Sequence, residues 1–455
     1  MTMKYVSTRG QAPVLDFADV LLSGLAVDGG LYVPEAWPDL PADWAEPQPY
    51  ARRAADVVWP YVDGAFARPE LDAMVAEAYA SFDHPDVCPV VEVEPGLHLM
   101  ELFHGPTLAF KDMALQLVGR MFDAELTRRG ERATIVVATS GDTGSAAIAA
   151  CVGRSTLDIV VLHPAGRVSD VQRRQMTTVD APNVVNVAVE GTFDDCQDLV
   201  KALFADEAAR KALRLSAMNS INWARIATQI PYYAAAVAAV GPCTVAVPTG
   251  NFGNILAGWI ARRGGASIDH LVIGSNVNDV LTRWVEQGAL VAEPVEPTLS
   301  PSMDIQVSSN HERLLFELSG RDGAATAEWV ARFRQLGAVE VPVDSVFAAA
   351  SVDDAATIAE IRSLHQRTGY LADPHTAVGI AAARATGVVG GDRPVVCMAT
   401  AHPAKFPDAV EAATGVRPEL PAHLADLGSR PEHYDVLPAD LGALKAHITD
   451  RLARA

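Results

Sequence analysis

The sequence has a deficit of basic residues, few cysteines and no long apolar run. Lys and Arg number 36 against 56 Asp and Glu, so the formal net charge at pH 7 is −20. Binding to nucleic acid needs a basic surface, and no basic block is present to supply one. We therefore expect no nucleic-acid partner. An anionic ligand would need a local pocket of cations or backbone amides.

The cysteines and the apolar runs exclude further classes. The five cysteines are scattered and form no CxxC pair, which argues against a metal site and against a disulfide framework. A reducing, cytoplasmic environment fits this usage best. The apolar runs are too short to span a membrane, and the polar start with Lys4 and Arg9 lacks a signal-peptide core. We expect no membrane partner.

What the chain does contain is a repeated alternation of strand and helix patterns. Short buried-type runs are followed by turn residues and then by helical spacing, which predicts an α/β fold with parallel sheets. At 455 residues, two or three domains are expected. The predicted strands are residues 134–138, 158–162, 183–189, 243–247, 271–274 and 394–398, and the predicted helices include 193–204, 255–262, 310–318, 324–336, 351–368 and 441–452.

Residues 101–112 are the stretch around which the chain is organised. A Gly-Pro-Thr turn at 105–107 ends an extended run, and the apolar spacing of residues 113–122 predicts a helix with one buried face. Lys111 then lies near the helix start, where the dipole and the apolar neighbours both lower the pKa of its amine. A neutral amine is a nucleophile. Taken alone, Lys111 is better explained as an ordinary first-turn lysine with its head in water, and it is the rest of the chain that favours the nucleophile.

Two loops that follow predicted strands are suited to anions. In residues 250–254, Gly250 and Gly253 let backbone amides turn toward a phosphate at a helix start, although such turns are also common in plain connections. Residues 140–144 offer the hydroxyls of Ser140 and Thr143, which could equally serve as a helix cap. Asp142 would oppose an anion there unless it faces away or meets a cation.

A third segment combines amides, a hydroxyl and a guanidinium. Asn219, Ser220 and Arg225 lie within seven residues, a combination suited to phosphate recognition. His375 and His402 are more often structural than catalytic in such settings. Asp194 and Asp195 are either catalytic or part of a helix cap, and we favour the cap.

With these motifs in order, the chain resembles the bacterial and fungal form of threonine synthase, a family of fold-type II pyridoxal-phosphate enzymes related to the tryptophan synthase β chain. The resemblance extends from residue 7 to residue 406 through eight motifs. They are residues 28–34, 103–112, 139–144, 191–197, 219–225, 250–254, 373–379 and 400–406.

The resemblance implies a pyridoxal 5'-phosphate cofactor and assigns roles to the motif residues. It implies that Lys111 forms the Schiff base and that Thr400 hydrogen-bonds the pyridine nitrogen. The loop with Asp142, Ser140 and Thr143 would serve the substrate carboxylate and the O3′ side of the cofactor. The cofactor phosphate would be held by Gly250, Asn251, Phe252, Gly253 and Asn254, and the substrate phosphate by Asn219, Ser220 and Arg225.

The implied reaction is the conversion of O-phospho-L-homoserine and water to L-threonine and phosphate, by γ-elimination and β-addition of water. The rivals are a phospho-lyase that releases 2-oxobutyrate, a dehydratase acting on serine or threonine, and a non-catalytic binder on the same scaffold. A dehydratase would not need a second phosphate site. For the assembly state we expect a monomer or a homodimer.

For the architecture we predict three parts. Residues 1–95 form a mostly helical N-terminal module, and residues 120–215 a small α/β domain. Residues 96–119 and 216–455 form the large cofactor-binding α/β domain. The site would then lie in the cleft between the two α/β domains, and closure of the smaller one would exclude water.

Overall fold

The structure, a computed structural model, describes residues 2–453, so residues 1, 454 and 455 of the predicted ranges lie outside the described part. Two large sheets carry most of its strands. The strands are β1 Tyr5–Ser7, β2 Tyr32–Pro34, β3 Val90–Glu94, β4 Leu97–Glu101, β5 Ala133–Ala138, β6 Leu157–Pro164, β7 Val184–Glu190, β8 Leu215–Ser216, β9 Cys243–Pro248, β10 Ile268–Ser275, β11 Ala289–Val291, β12 Ala338–Glu340, β13 Phe347–Ser351, β14 Val395–Ala399 and β15 Asp435–Pro438.

Helices separate nearly all of these strands along the chain. They are α1 Phe17–Ser23, α2 Tyr50–Val62, α3 Arg68–Tyr79, α4 Lys111–Arg129, α5 Asp142–Cys151, α6 Asp170–Thr177, α7 Phe193–Ala205, α8 Glu207–Ala212, α9 Trp223–Ala227, α10 Ile230–Val240, α11 Gly253–Arg263, α12 Val280–Gln287, α13 His311–Leu318, α14 Gly323–Leu336, α15 Asp354–Thr368, α16 Pro374–Ala385, α17 Pro407–Thr414 and α18 Leu441–Ala453.

The first sheet has six strands in the order β13-β10-β9-β14-β4-β3. Its pairings are parallel except for the antiparallel β3–β4 edge. Every residue of β9 and β14 is buried, because helices cover both faces of a sheet of this kind. The second sheet has five parallel strands in the order β15-β7-β6-β5-β8. The predicted α/β class with parallel and mixed sheets is confirmed.

The N-terminal part contains three helices, of which α1 and α3 pack against α4. Helices α2 and α3 bury one face each, and the hydroxyl of Tyr79 donates to the carbonyl of Met113 over 3.0 Å. Near the start of the chain, β1 pairs antiparallel with β2. The first residues contact α13, because Arg9 forms a bidentate ion pair with Glu312, with both N–O distances 3.0 Å.

Two predictions need correction. The helix predicted over 351–368 begins at Asp354, where Asp353 caps it, and residues 347–351 form β13, an Ala-rich strand whose composition resembles a helix. Residues 435–438 lie in the second sheet rather than in the large domain, because they pair with β7. In α18, Leu444 and Ile448 are buried in the core cluster of that sheet. The predicted division into domains otherwise stays a prediction.

No helix within residues 2–453 combines the length and the apolar character that crossing a membrane requires.

Candidate active site

Lys111 is the first residue of α4, as the spacing predicted. The turn before it is fixed by Asp112, whose carboxylate accepts hydrogen bonds from the amide and the hydroxyl of Thr107, each 2.8 Å long. The amide of Phe110 donates to the carbonyl of Thr400 over 2.8 Å, which joins the start of α4 to the end of β14. Lys111 is therefore held at the carboxyl edge of the first sheet, where open α/β sheets bind ligands.

The amine of Lys111 is buried among polar groups. Its Nζ lies 3.2 Å from Oδ2 of Asp142 and 3.3 Å from Oγ of Ser302, and the side chain is only 10 % exposed. Burial lowers the pKa of Lys111, Asp142 opposes this, and Lys405 adds to the lowering. The predicted direction of the pKa shift is confirmed, and burial is its main cause. The amine is thereby shifted toward its neutral, nucleophilic form.

Asp142 meets two cations, which answers the question that the sequence raised about this carboxylate. Its Oδ1 lies 3.1 Å from Nζ of Lys405 and accepts a 2.8 Å hydrogen bond from Gln172, while Oδ2 faces Lys111. Burial alone would raise the pKa of Asp142, but Lys405 and Lys111 outweigh it and hold that pKa well below the usual range. Asp142 is therefore ionised and its charge is compensated.

The loop at 250–254 joins β9 to α11 in a strained, closely packed form. Phe252 has a left-handed backbone with φ of +62°, and its ring packs edge-on against Trp284. A Cβ at Gly250 would lie 2.7 Å from the carbonyl oxygen of Ser302, so only glycine fits there. The first amides of α11 have no acceptor within the helix, so they and the helix dipole suit a phosphate.

Neighbouring side chains hold the same loop in place. Asn251 accepts hydrogen bonds at its carbonyl from the amide and the side chain of Asn310, 3.1 and 3.0 Å long. Asn254, in the first turn of α11, accepts at Oδ1 from the hydroxyls of Tyr232 and Tyr233. Its buried Nδ2 has no partner among the described residues, which leaves a free donor beside the helix start.

Thr400 follows β14 directly and is buried. Its amide donates to the hydroxyl oxygen of Thr376 over 3.2 Å, and that hydroxyl donates to Asp373. The carbonyl of Thr400 accepts from Phe110, the residue before the buried lysine. The backbone of Thr400 is thus fixed on both sides, next to Lys111.

Arg225 lies on α9 and is 4 % exposed. Its guanidinium makes one long hydrogen bond, 3.4 Å to the carbonyl of Met218, and its Nε has no partner within residues 2–453. Burial lowers the pKa of Arg225 to about 10. The positive charge of Arg225 in turn contributes to the lowered pKa of Lys111. A buried guanidinium with so few partners is suited to an anionic ligand.

The other residues of the predicted substrate loops are less constrained. Asn219 is exposed, and Ser220 is joined to the phosphate loop through its carbonyl, which accepts from Asn310 over 3.0 Å. Ser140 and Thr143 are half-buried beside Asp142 in the chain. Their loop is closed by Thr139, whose hydroxyl oxygen accepts the amides of Gly141 and Gly144, each 2.9 Å away.

Sequence reasoning missed three side chains at this centre. Lys405 belongs to the 400–406 motif, and that position was the only available signal for it. Gln172 lies on α6, a helix that was not predicted, and Ser302 lies in a short turn after a Pro-rich connector. Each of these three contacts the carboxylate of Asp142.

Three of the uncertain residues, His375, His402 and Asp195, have structural partners. His375 lies 2.9 Å from Asp373 through Nδ1 and accepts the amide of Ser302 at Nε2 over 3.2 Å, so Nδ1 carries the proton. His402 accepts the amide of the residue two positions on, and burial lowers its pKa to about 4. Asp195 accepts the amide and the hydroxyl of Thr192, which caps α7, so the predicted cap is confirmed for it.

Comparison with known proteins agrees with this geometry. A family model described as pyridoxal-phosphate dependent enzyme matches residues 91–401, which is more than half of the chain. Two further models, threonine synthase N terminus and threonine synthase, C-terminal, match residues 4–79 and 376–448. The threonine synthase of Pseudomonas aeruginosa is 48% identical, with 98% of each chain covered. The chain belongs to the threonine synthase family.

Relatives of known structure extend the comparison to the whole fold. A crystal structure of threonine synthase with bound pyridoxal phosphate, from Brucella melitensis, is 49% identical, covers 100% of both chains and has a TM-score of 0.96. The yeast enzyme is 35% identical over 99% of both chains, with a TM-score of 0.93. The chain is therefore a pyridoxal-phosphate-dependent enzyme with the fold-type II architecture of this family.

Proposed function

We propose the residue roles through which the chain carries out the reaction of its family. That reaction converts O-phospho-L-homoserine and water to L-threonine and phosphate, by γ-elimination and β-addition of water. The observation that carries the assignment of roles is the position of Lys111. Its buried amine lies at the sheet edge, between a compensated carboxylate and the segments suited to anions.

The residues at the site fit pyridoxal phosphate. Lys111 offers the amine for the aldehyde carbon, and Gly250, Asn251, Phe252, Gly253 and Asn254 offer amides at the start of α11 for the phosphate. The unpartnered Nδ2 of Asn254 supports this use of the loop. Thr400 offers a neutral hydroxyl for the ring nitrogen. Asp142, which pairs with Lys111, would lie on the O3′ side of the cofactor. When bound, the cofactor supplies an electron sink for charge on the substrate.

The substrate would be held by two sets of donors. Ser140 and Thr143, at the start of α5, would bind the carboxylate. Asn219, Ser220 and Arg225 would bind the phosphate, and the sparse hydrogen bonding of Arg225 supports that role. Two separate phosphate sites distinguish this reaction from dehydration of serine or threonine, which would need only one.

Lys111 would move the protons of the reaction. Once free of the cofactor, its neutral amine can take the proton from Cα of the substrate and pass it to the substrate phosphate, which then leaves. The amine, neutral again, can move a second proton from Cβ to Cγ, and after water has added to Cβ it can carry the proton released by that water back to Cα. Burial at this edge limits competing water, and Asp142 stays ionised beside the amine to balance its charge.

Purified wild-type protein and Lys111→Ala test these roles. After addition of pyridoxal phosphate, the absorption band of the lysine–cofactor linkage is expected in wild type and lost in Lys111→Ala. Wild type should release threonine and phosphate in equal amounts from O-phosphohomoserine. Lys201→Ala, at an exposed lysine paired with Asp198, is the matched control and should behave as wild type.

The outcomes separate the rival reactions. Release of phosphate with 2-oxobutyrate would indicate the phospho-lyase, and turnover of serine or threonine would indicate the dehydratase. Binding of the cofactor without any turnover would indicate a binding protein. No linkage band in wild type would contradict the role of Lys111.

We also propose a division into domains, a compartment and an assembly state. The second sheet and its helices would form the small domain that closes over the site, with β15 and α18 added to residues 120–215. The five cysteines are buried and unpaired, which supports a cytoplasmic location. The protein would act as a monomer or homodimer, and light scattering of the purified protein tests this assembly state. We expect no nucleic-acid partner.

A further inference from the structure

Lys405 is a second lysine at the centre of the site, and its side chain has no exposed surface. Its ammonium meets three acceptors: the carbonyl of Thr107 at 2.6 Å, Oε1 of Gln175 at 2.8 Å and Oδ1 of Asp142 at 3.1 Å. The contacts with Thr107 and Gln175 are hydrogen bonds, and the contact with Asp142 is an ion pair. Lys405 is therefore held in place by these three residues.

Two lysines share one carboxylate in this arrangement. Asp142 presents Oδ1 to Lys405 and Oδ2 to Lys111, so each oxygen faces one cation. If Lys111 loses its proton, Asp142 is still paired. Without Lys405, the same proton loss would leave a buried carboxylate without a cation, which is strongly unfavourable.

We propose that Lys405 is a positioning residue that holds Asp142 ionised and paired, so that Lys111 can release its proton. The inference rests on the proposed role of Lys111 as the reacting amine. Lys405 forms no hydrogen bond with that amine. It acts on the amine by pairing with Asp142 and also through its own nearby positive charge, which remains when Asp142 is replaced.

The other charged groups around Lys111 are few. Arg225 on α9 is a more remote cation that acts in the same direction as Lys405. His375 on α16 donates to Asp373 through Nδ1 and accepts the amide of Ser302 at Nε2. Asp112, next in the chain, is engaged by Thr107. Asp142 is therefore the one carboxylate, within residues 2–453, that forms an ion pair with Lys111.

The test measures how readily Lys111 loses its proton in full-length, cofactor-free protein. Cyanate carbamylates neutral amines, and mass spectrometry of the Lys111 peptide gives the rate constant as a function of pH. In Lys405→Met we expect the midpoint of the pH–rate curve for Lys111 to rise by at least one pH unit. At a fixed pH below the wild-type midpoint, this corresponds to carbamylation that is at least tenfold slower. In Asp142→Asn the midpoint should fall. The double variant should lie between the two single variants.

Lys201→Met is the matched control and should leave the midpoint unchanged, because Lys201 lies on an exposed helix face. A midpoint in folded Lys405→Met within about 0.3 units of wild type would overturn the proposal. If Lys405→Met fails to fold, Asp142→Asn is compared with the double variant, which leaves no carboxylate unpaired. The double variant should have the higher midpoint, and equal midpoints would overturn the proposal.

This readout is independent of turnover. A shifted midpoint in protein that makes no threonine would leave the role of Lys405 standing and contradict the proposed function. An unshifted midpoint in a variant set whose wild type makes threonine would overturn the role of Lys405 and leave the proposed function standing.

Discussion

The side-chain amide of Asn310 donates to the backbone carbonyl of Asn251 over 3.0 Å. The same amide group donates to the carbonyl of Ser220, also over 3.0 Å. Asn310 is fully buried, and it thereby joins the loop proposed for the cofactor phosphate to the segment proposed for the substrate phosphate. One side chain fixes the spacing of the two anion-binding segments.

Asn310→Ala should weaken both stability and cofactor binding. Loss of the side-chain amide leaves the carbonyl of Ser220 without its donor, and the carbonyl of Asn251 keeps only the backbone amide of Asn310. We expect this to lower the free energy of unfolding by about 1–3 kcal/mol. The loop at 250–254 becomes less well held, so we expect the dissociation constant for pyridoxal phosphate to rise about tenfold, which corresponds to roughly 1.4 kcal/mol. Denaturant unfolding and a spectroscopic titration measure the two effects.

Asn183→Ala is the matched control for this variant. Asn183 is a buried asparagine whose amide donates to the carbonyls of Cys151 and Leu157, each over 2.8 Å. It directly precedes β7 of the second sheet and makes no hydrogen bond to residues 250–254. It should lower stability to a similar degree and leave cofactor affinity unchanged. Equal loss of affinity in both variants would show that Asn310 acts only through general stability.

Arg225→Met should preserve stability and remove a response to phosphate. Because Arg225 is buried with a single long hydrogen bond, its removal leaves little unsatisfied and should leave the melting temperature unchanged or higher. Inorganic phosphate at millimolar concentration should stabilise wild type but no longer stabilise the variant to the same extent. A full phosphate response in Arg225→Met would contradict the proposed substrate site.

Arg313→Met gives the contrast. Arg313 is equally buried, but it donates to the carbonyls of Tyr32 and Ile221 over 3.0 and 2.6 Å. Its loss leaves buried carbonyls unpaired, so we expect a fall of roughly 2 kcal/mol or more in the free energy of unfolding. Thermal melts of both arginine variants, with and without phosphate, make the comparison.

Gly250→Ala should abolish ordered cofactor binding with one added methyl group. The new Cβ would lie 2.7 Å from the backbone carbonyl oxygen of Ser302, so the loop or the turn at Ser302 must move. We expect at least about a tenfold loss of affinity for pyridoxal phosphate. Gly428→Ala adds the same methyl group where no atom lies within 4 Å and should bind normally. Normal binding by Gly250→Ala would show that the close approach is not required.

The pair of His104 and Glu101 should make stability depend on pH. Burial lowers the pKa of His104, but the carboxylates of Glu101 and Asp83, 2.8 and 3.0 Å from its ring, outweigh this and raise it. Because the pKa of His104 is raised in the folded state, the pair stabilises the protein fully below the unfolded pKa of about 6.5. This stabilisation is lost as the pH rises through the folded pKa.

His104→Asn should therefore differ most from wild type near pH 6 and least near pH 9. Below about pH 4.3, protonation of Glu101, whose pKa the same pair lowers despite burial, should reduce the difference again. Chemical denaturation at several pH values measures this. A difference that is constant from pH 6 to pH 9 would show that the charge on His104 contributes nothing.

The sequence by itself determined the local features of this protein. Apolar runs and their spacing predicted the parallel strands, the helix that begins at Lys111 and the loop at 250–254, because these depend on residues adjacent in the chain. The sequence also indicated the direction of the pKa shift of Lys111, although the main cause of that shift, burial of the amine, is set by the packed structure. The ordered motifs were sufficient to indicate the family.

Only the tertiary structure decided what surrounds the lysine. Asp142, Lys405, Ser302 and Gln172 come from separate parts of the chain, and no periodicity records that they meet. For the same reason the strand β15 was not predicted, since its pairing with β7 depends on a distant strand rather than on its own Pro-rich surroundings. Spacing along the chain specifies which face of an element is buried, whereas the partners of buried charges are fixed only when the elements pack together.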